Sequence, residues 1–305
     1  MEHGPDDEIV PDSERRGLIG ALPRRVRPYA SLIRLDRPIG AWLLYWPCAW
    51  SVALAEPRGG QWWLLLWLAL GAWTMRSAGC VWNDVVDRDL DSKVERTRLR
   101  PLASGRVSLS GALALLAAMC LIGLVVLLRL DRTAQIVALA SLAPVAAYPF
   151  MKRVTWWPQA WLGLVFSWGA LVGWPAVTGR IELPCLLLYA GAIFWVIGYD
   201  TVYALQDKED DALVGVKSSA LALGPRARLG VGICYVFALA LWAAAINALR
   251  PEALALAALL PVAIHLFWQV AALRQDDPAD ALAKFRSNRF AGFVMFLACL
   301  VVGNA

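Results

Sequence analysis

Charge is scarce in this sequence. Of its 305 residues only 17% are charged and 59% are hydrophobic, whereas soluble domains run about 25% charged and about 45–50% apolar. That imbalance excludes an ordinary soluble globular class. Histidine is nearly missing as well. His3 and His265 stand far apart, which excludes a His-based triad or a zinc site. The six cysteines (Cys48, Cys80, Cys120, Cys185, Cys234 and Cys299) are scattered through apolar stretches without a CxxC pair, so they read as small apolar residues rather than ligands. No ten-residue alternation of apolar and polar positions occurs, and a transmembrane barrel is thereby excluded.

What is present points to a helical membrane protein. The 16 Trp suit membrane–water interfaces. Residues 1–28 are polar and punctuated by Gly and Pro, and they read as a disordered tail ahead of a transmembrane domain over 29–305. The tail lacks the apolar core of a signal peptide. Glu2, Asp6, Asp7, Glu8, Asp12 and Glu14 argue against a mitochondrial transit peptide, which is acid-poor. Its acidity favours a bacterial inner membrane over a mitochondrial one. Arg24, Arg25 and Arg27 suit an anionic membrane surface.

Nine hydrophobic runs follow: 39–55, 61–82, 109–129, 133–150, 158–178, 184–205, 229–249, 252–273 and 290–304. Each is close to the ~20 residues a helix needs to cross the hydrocarbon core, and helices satisfy their own backbone polar groups there. With nine spans, 23 Lys and Arg fall on the side of the N-terminus and 5 on the other. The positive-inside rule makes the N-terminus cytoplasmic. It also accounts for the net charge of +5 without nucleic acid.

Two loops on the basic side are also acidic, which topology does not demand. The first runs Asn83-Asp84-Val85-Val86-Asp87-Arg88-Asp89-Leu90-Asp91, and the second Asp200-Thr201-Val202-Tyr203-Ala204-Leu205-Gln206-Asp207-Lys208-Glu209-Asp210-Asp211. Asn83, Asp87 and Asp91 recur at i, i+4 and i+8. Asp200, Tyr203, Asp207 and Asp211 recur at i, i+3, i+7 and i+11. On a helix each set forms one stripe, and carboxylates one turn apart repel. A bound divalent cation is the simplest compensation, and all-oxygen ligands favour Mg²⁺, Mn²⁺ or Ca²⁺. Basic residues flank both stripes: Arg34 and Arg37; Arg96, Arg98 and Arg100; Lys152 and Arg153; and Lys217, followed by Ser218. Guanidinium and ammonium groups neutralise phosphate oxygens, so the pattern predicts a metal–diphosphate cradle. Asp200 lies inside a span, where ionisable residues default to function. The 120-residue offset of the stripes suggests two four-helix pseudo-repeats plus a ninth helix, with helical cap loops on the cytoplasmic side.

At these residues the sequence resembles the UbiA superfamily of intramembrane prenyltransferases. NDxxDxxxD is present as Asn83-Asp84, Asp87 and Asp91, and DxxxD preceded by DxxYA as Asp200, Tyr203-Ala204, Asp207 and Asp211. Supporting stretches are RLDRPIGAWLLYWP (34–47), RPLASG (100–105), YPFMKR (148–153) and GYDTVYALQDKEDDALVGVKS (198–218). The resemblance covers about residues 31–225 and is nearest the 4-hydroxybenzoate branch. It implies transfer of a polyprenyl group from its diphosphate to the ring carbon ortho to the hydroxyl of 4-hydroxybenzoate, an early membrane step of ubiquinone synthesis, with Mg²⁺ as cofactor and the lipid bilayer as the tail's solvent. It further implies Asn83, Asp84, Asp87, Asp91, Asp207 and Asp211 as metal positions. Asp87, Asp91, Asp207, Asp211 and Tyr203 become the candidate catalytic residues. Arg34, Arg100, Lys152, Arg153, Asp200 and Lys217 become the substrate-binding ones, divided in an unassigned way between diphosphate and benzoate carboxylate.

Other acceptors within the superfamily (a naphthoate, homogentisate, haem or a chlorophyllide) are not separated by the residues themselves. A transporter is disfavoured, because its charges would gather near the bilayer midplane, whereas here they sit at span ends.

Overall fold

The computed structural model describes residues 16–56, 60–92, 97–206, 208, 215 and 217–304. The described residues are helical, without a strand. In chain order the helices are α1 (Arg16–Ala21), α2 (Arg27–Leu32), α3 (Ile39–Leu54), α4 (Trp63–Val86), α5 (Arg88–Asp91), α6 (Leu109–Leu127), α7 (Arg132–Ala140), α8 (Leu142–Val154), α9 (Pro158–Ser167), α10 (Gly169–Thr178), α11 (Leu183–Leu205), α12 (Ser219–Leu223), α13 (Ala227–Leu249), α14 (Ala253–Ala257), α15 (Leu260–Ala272) and α16 (Pro278–Gly303). The tail expected over 1–28 thus already holds α1 and the start of α2; residues 1–15 lie outside the described set.

Among the described residues, eight helices or runs of successive helices are long and apolar enough to cross a membrane: 63–86, 109–127, 132–151, 158–178, 183–206, 219–249, 253–272 and 278–303. Helix α3, with 16 residues, is shorter, so the first of the nine expected spans stands below the crossing length. Several spans are broken, and proline explains two of the breaks. Pro144 and Pro261 have no N–H to give the carbonyls of Ala140 and Ala257, and α7 and α14 end at those residues.

The last span corrects the sequence reading. The helix that carries it starts at Pro278, twelve residues before the apolar run at 290, and two of the charges in that added stretch are paired. Lys284 Nζ donates to Asp280 one turn earlier at 2.9 Å and lies 4.6 Å from the ring centre of Trp268. Asp277 caps the helix by accepting from the Ala279 and Asp280 amides, satisfying two of its otherwise unpaired first-turn donors.

The chain forms two compact units, one of residues 1–41 and 70–126, the other of 42–69 and 127–305. This division does not follow the expected four-helix pseudo-repeats. In the first unit, Leu32, Val81, Leu102, Val107 and Ala112 make a buried cluster, which seats the RPLASG stretch on α2, α4 and α6. In the second, α11 packs along α9, α13 and α16. Two glycines let α11 approach α13. A Cβ at Gly191 would lie 2.4 Å from Trp242, and one at Gly198 2.4 Å from Tyr235, the small-residue packing expected between helices in lipid. Trp50, Trp195 and Trp242 are fully buried in this unit, with ring centres 5.0 and 5.3 Å apart around Trp50. These three tryptophans are core residues and not interfacial ones. Their indole N–H groups explain how two are tolerated inside: Trp50 donates to the Gly292 carbonyl at 2.7 Å and Trp195 to Asn288 Oδ1 at 2.9 Å.

Candidate functional site

The first acidic stripe is not carried on one unbroken helix. Helix α4 stops at Val86, and Asp87 takes a non-helical conformation as the residue before α5. The helical hydrogen-bond spacing nevertheless persists: the Asp87 amide bonds the Asn83 carbonyl at 2.9 Å, and the Asp91 amide bonds that of Asp87 at 2.7 Å. The stripe therefore keeps its one-turn spacing through the break. Asp84, Asp87 and Asp91 are all buried, a costly state for carboxylates without compensation.

Compensation comes from two arginines. Arg34 Nη2 donates to both oxygens of Asp84, at 2.7 and 3.0 Å. Arg100 Nη1 donates to Asp91 Oδ2 at 2.8 Å and reaches Asp84 Oδ1 at 3.4 Å. Burial pushes the Asp91 carboxyl up, Arg100 pulls it down, and the neighbouring Asp84 and Asp87 charges push it up further, leaving it above the ordinary carboxylate range. The turn that carries Arg100 is fixed by Thr97, which donates to the Asp91 carbonyl at 3.0 Å, and by the bond from the Arg100 amide to the Thr97 carbonyl at 2.9 Å.

Arg34 is held in an unusual backbone state. Its φ is +57°, the left-handed region that glycine normally fills. The amide of Arg34 bonds the Ser31 carbonyl at 3.1 Å and that of Leu35 bonds Ala30 at 3.0 Å, the paired pattern that closes a helix in a Schellman turn. An arginine at the glycine position is strained, and such strain gathers at functional sites. It aims the guanidinium at a carboxylate fifty residues away in sequence. Arg34 also lines a small cleft with Arg37, Trp73 and Arg76. Arg37 itself pairs with Asp36 at 3.1 Å.

In the second unit, Asp200 and Tyr203 lie on the last turns of α11 and are partly buried. The ring centre of Tyr203 is 4.7 Å from that of Phe285, and Tyr199 stands 5.8 Å from the same ring. Phe285 was not legible as a neighbour, since nothing in the sequence links residue 285 to the motif. Lys152 sits in the last turn of α8, and Arg153 beside it is exposed. Lys217 Nζ reaches the Val154 carbonyl at 3.4 Å and lies 5.7 Å from the Trp156 ring centre. Asp207 and Asp211 lie outside the described residues, so the helical continuation expected for the second loop does too.

Among the described residues no group of three or more His, Cys, Asp or Glu is arranged to hold a metal ion. The oxygen-only donors of the first motif (the Asn83 amide, Asp87 and Asp91) still suit Mg²⁺ chemically. That ion is commonly held by one or two carboxylates and completed by water and substrate phosphates. Asp84 is the exception within the motif, because both of its oxygens are already engaged by guanidinium.

The described residues thus define a class, the multi-span helical membrane proteins, with a carboxylate–guanidinium centre at and just beyond the end of α4. Comparison with known proteins narrows the class. Residues 44–300 match the model of the UbiA prenyltransferase family, and the chain belongs to that family. It is 46% identical over 287 residues to the "4-hydroxybenzoate polyprenyltransferase, mitochondrial" of Drosophila melanogaster, covering 93% of this chain and 73% of that one. It is 44% identical over 293 residues to the protein of the same name from Rattus norvegicus, covering 94% and 77%. Among solved structures, the apo UbiA homolog from Aeropyrum pernix K1 is similar with a TM-score of 0.70 at 27% identity, over 85% of this chain and 97% of that one. A UbiA homolog from Archaeoglobus fulgidus bound to GPP and Mg²⁺ shares the fold, with a TM-score of 0.66 at 17% identity over 91% and 100%.

These relatives correct one expectation. The bacterial inner membrane inferred from the acidic tail does not stand, because curated relatives at 43–46% identity are mitochondrial proteins. Tail composition bears on how a chain is imported, and it carries no information about which membrane suits the helices.

Proposed function

We propose that this chain transfers a polyprenyl group from a polyprenyl diphosphate to the ring carbon ortho to the hydroxyl of 4-hydroxybenzoate, in a mitochondrial membrane. The observation that carries the reading is identity of 43–46% over nine-tenths or more of the chain with proteins named for that activity. The Arg34–Asp84–Arg100–Asp91 array, with buried carboxylates and partly exposed guanidiniums, supports it, since an array of this kind holds cations in place for a diphosphate.

On this reading Asn83, Asp87 and Asp91 would hold Mg²⁺, and Asp207 and Asp211 would do the same. The chemistry Mg²⁺ would supply there is to offset the negative charge that develops on the leaving diphosphate. Asp84 serves by holding Arg34 and Arg100 in place, since its oxygens are engaged by them. Arg34, Arg100, Lys152, Arg153 and Lys217 bind the diphosphate or the acceptor's carboxylate, and preorganised cations at that point cost no reorganisation during reaction. Asp200 and Tyr203 line the substrate end of α11. The allylic carbon loses diphosphate, the acceptor's ring carbon attacks it, and the ring proton leaves. Excluding water keeps the allylic cation from being quenched. The polyprenyl tail stays in apolar surroundings, each CH₂ contributing roughly 0.8 kcal/mol when buried.

The test is prenyl transfer by the detergent-purified chain with 4-hydroxybenzoate and a polyprenyl diphosphate, in Mg²⁺ and in EDTA. A C-prenylated benzoate that forms only with Mg²⁺ is the expected product. Absence of product with Mg²⁺ present would remove 4-hydroxybenzoate as the acceptor.

A further inference from the structure

The second motif is followed by a buried polar lock that the reaction itself does not use. Ser219, the first residue of α12, is fully buried. Its amide donates to Gln159 Oε1 of α9 at 2.9 Å. As a first-turn helical amide it has no partner within its own helix, so the Gln159 carboxamide is its satisfier. Its hydroxyl lies 2.7 Å from Thr201 Oγ1 of α11. Thr201 spends its single hydroxyl proton on the Ile197 carbonyl, also at 2.7 Å, so Ser219 must be the donor to Thr201. Ser218 completes the corner by accepting from the Leu221 amide at 3.3 Å. Gln159, Thr201, Ser218 and Ser219 are all buried. Two residues before Ser219 stands Lys217, over Trp156 and within reach of the Val154 carbonyl. An ammonium carries three donors, so that bond leaves it able to take an anion. One lysine thus emerges from a backbone pinned to two different helices, α9 and α11.

We infer that Gln159 and Thr201 are positioning residues for Lys217. They fix Ser219 and so place the Lys217 ammonium beside the end of α8 to receive the substrate's phosphates. A lysine side chain has large conformational freedom. Fixing its backbone lowers the entropy lost when the anion binds, which is the general benefit of preorganisation. The inference rests on the reading of Lys217 as a diphosphate ligand. It adds that the ligand's affinity is set by two side chains that do not touch the substrate.

The experiment measures binding of inorganic pyrophosphate with Mg²⁺ to the full-length purified chain by calorimetry, alongside KM and kcat for prenyl transfer. Lys217→Ala is expected to weaken pyrophosphate binding. Thr201→Val, which keeps the shape and deletes the hydroxyl, should weaken it about fivefold, as should Gln159→Leu, the factor that goes with the loss of one hydrogen bond. The KM for the diphosphate should rise with little change in the KM for 4-hydroxybenzoate. Thr201→Ser should restore wild-type binding. In the Lys217→Ala background neither Thr201→Val nor Gln159→Leu should weaken binding further, because residues acting through one partner are not additive. Multiplying effects in the double variants, or wild-type affinity in both Thr201→Val and Gln159→Leu, would overturn the inference. So would failure of the wild-type chain to bind pyrophosphate. Pyrophosphate binding that follows the expected series without transfer to 4-hydroxybenzoate would uphold the lock and sink only the choice of acceptor.

Discussion

Arg34 offers a sharp separation of two opposing contributions. Its guanidinium compensates a carboxylate that is 1% exposed, while being only 12% exposed itself. Its backbone is held at a φ of +57°. Removing one partner of a buried pair costs about 3–5 kcal/mol, because the other charge is stranded. Arg100, 3.4 Å from the same carboxylate, softens that loss without abolishing it. A left-handed conformation costs a non-glycine residue about 1–2 kcal/mol, and glycine nothing comparable. Arg34→Ala therefore loses the pair and keeps the strain, whereas Arg34→Gly loses the pair and sheds the strain. The glycine variant should be the more stable by about 1–2 kcal/mol, and both should fall below wild type. Adding Asp84→Asn to Arg34→Gly removes the stranded charge and should recover part of the deficit. Unfolding of the detergent-purified chains by titrated denaturant or heat measures all four states. Equal stability of the alanine and glycine variants would refute the backbone-strain argument. A double variant less stable than Arg34→Gly would refute the stranded-charge argument. Transfer activity should be low in all three variants, whatever their stability, since each lacks the Arg34 cation.

Further outcomes are expected. Asp87→Asn and Asp91→Asn should each lower the Mg²⁺-dependent transfer rate by a factor on the order of 10² while membrane insertion is unchanged; rates near wild type in both would count against the metal role. Lys152→Ala should raise the KM of one substrate more than it lowers kcat, and unchanged KM values for both substrates would remove it from the binding set. Glycine substitutions should split by location. A Cβ at Gly303 would lie 2.1 Å from the Ala53 carbonyl oxygen, which is backbone and cannot yield, whereas one at Gly79 meets nothing within 4 Å. Gly303→Ala should therefore destabilise the chain by about 1–3 kcal/mol, and Gly79→Ala should be neutral or stabilising by up to about 1 kcal/mol, as read by denaturant unfolding.

The spans were legible because the hydrocarbon core imposes a length and a polarity on each of them. The run expected at 158–178 coincides with a described span, and those at 133–150 and 184–205 differ from theirs by a residue at each end. The run expected at 290–304 marks the apolar part of a longer helix that begins at Pro278; a hydropathy reading stops short of it because it counts Asp280 and Lys284 as two separate charges, whereas on the helix they form an ion pair. The first stripe was legible by its spacing, but the break at Asp87 was not, since the one-turn interval survives it through backbone hydrogen bonds. The mitochondrial relatives corrected a compartment drawn from tail acidity alone.

By itself the sequence determined that this is a multi-span helical membrane protein with two acidic motifs and the residues of a UbiA prenyltransferase, because solvent polarity and local spacing act along the chain. Only the tertiary structure decided that Asp84 anchors Arg34 and Arg100, that Arg34 sits in a glycine's conformation, that three tryptophans form a core, and that Gln159 and Thr201 converge on Ser219. Each of those depends on groups tens of residues apart meeting where water is excluded, and the strength of a charge or hydrogen bond there is set by what folding brings beside it.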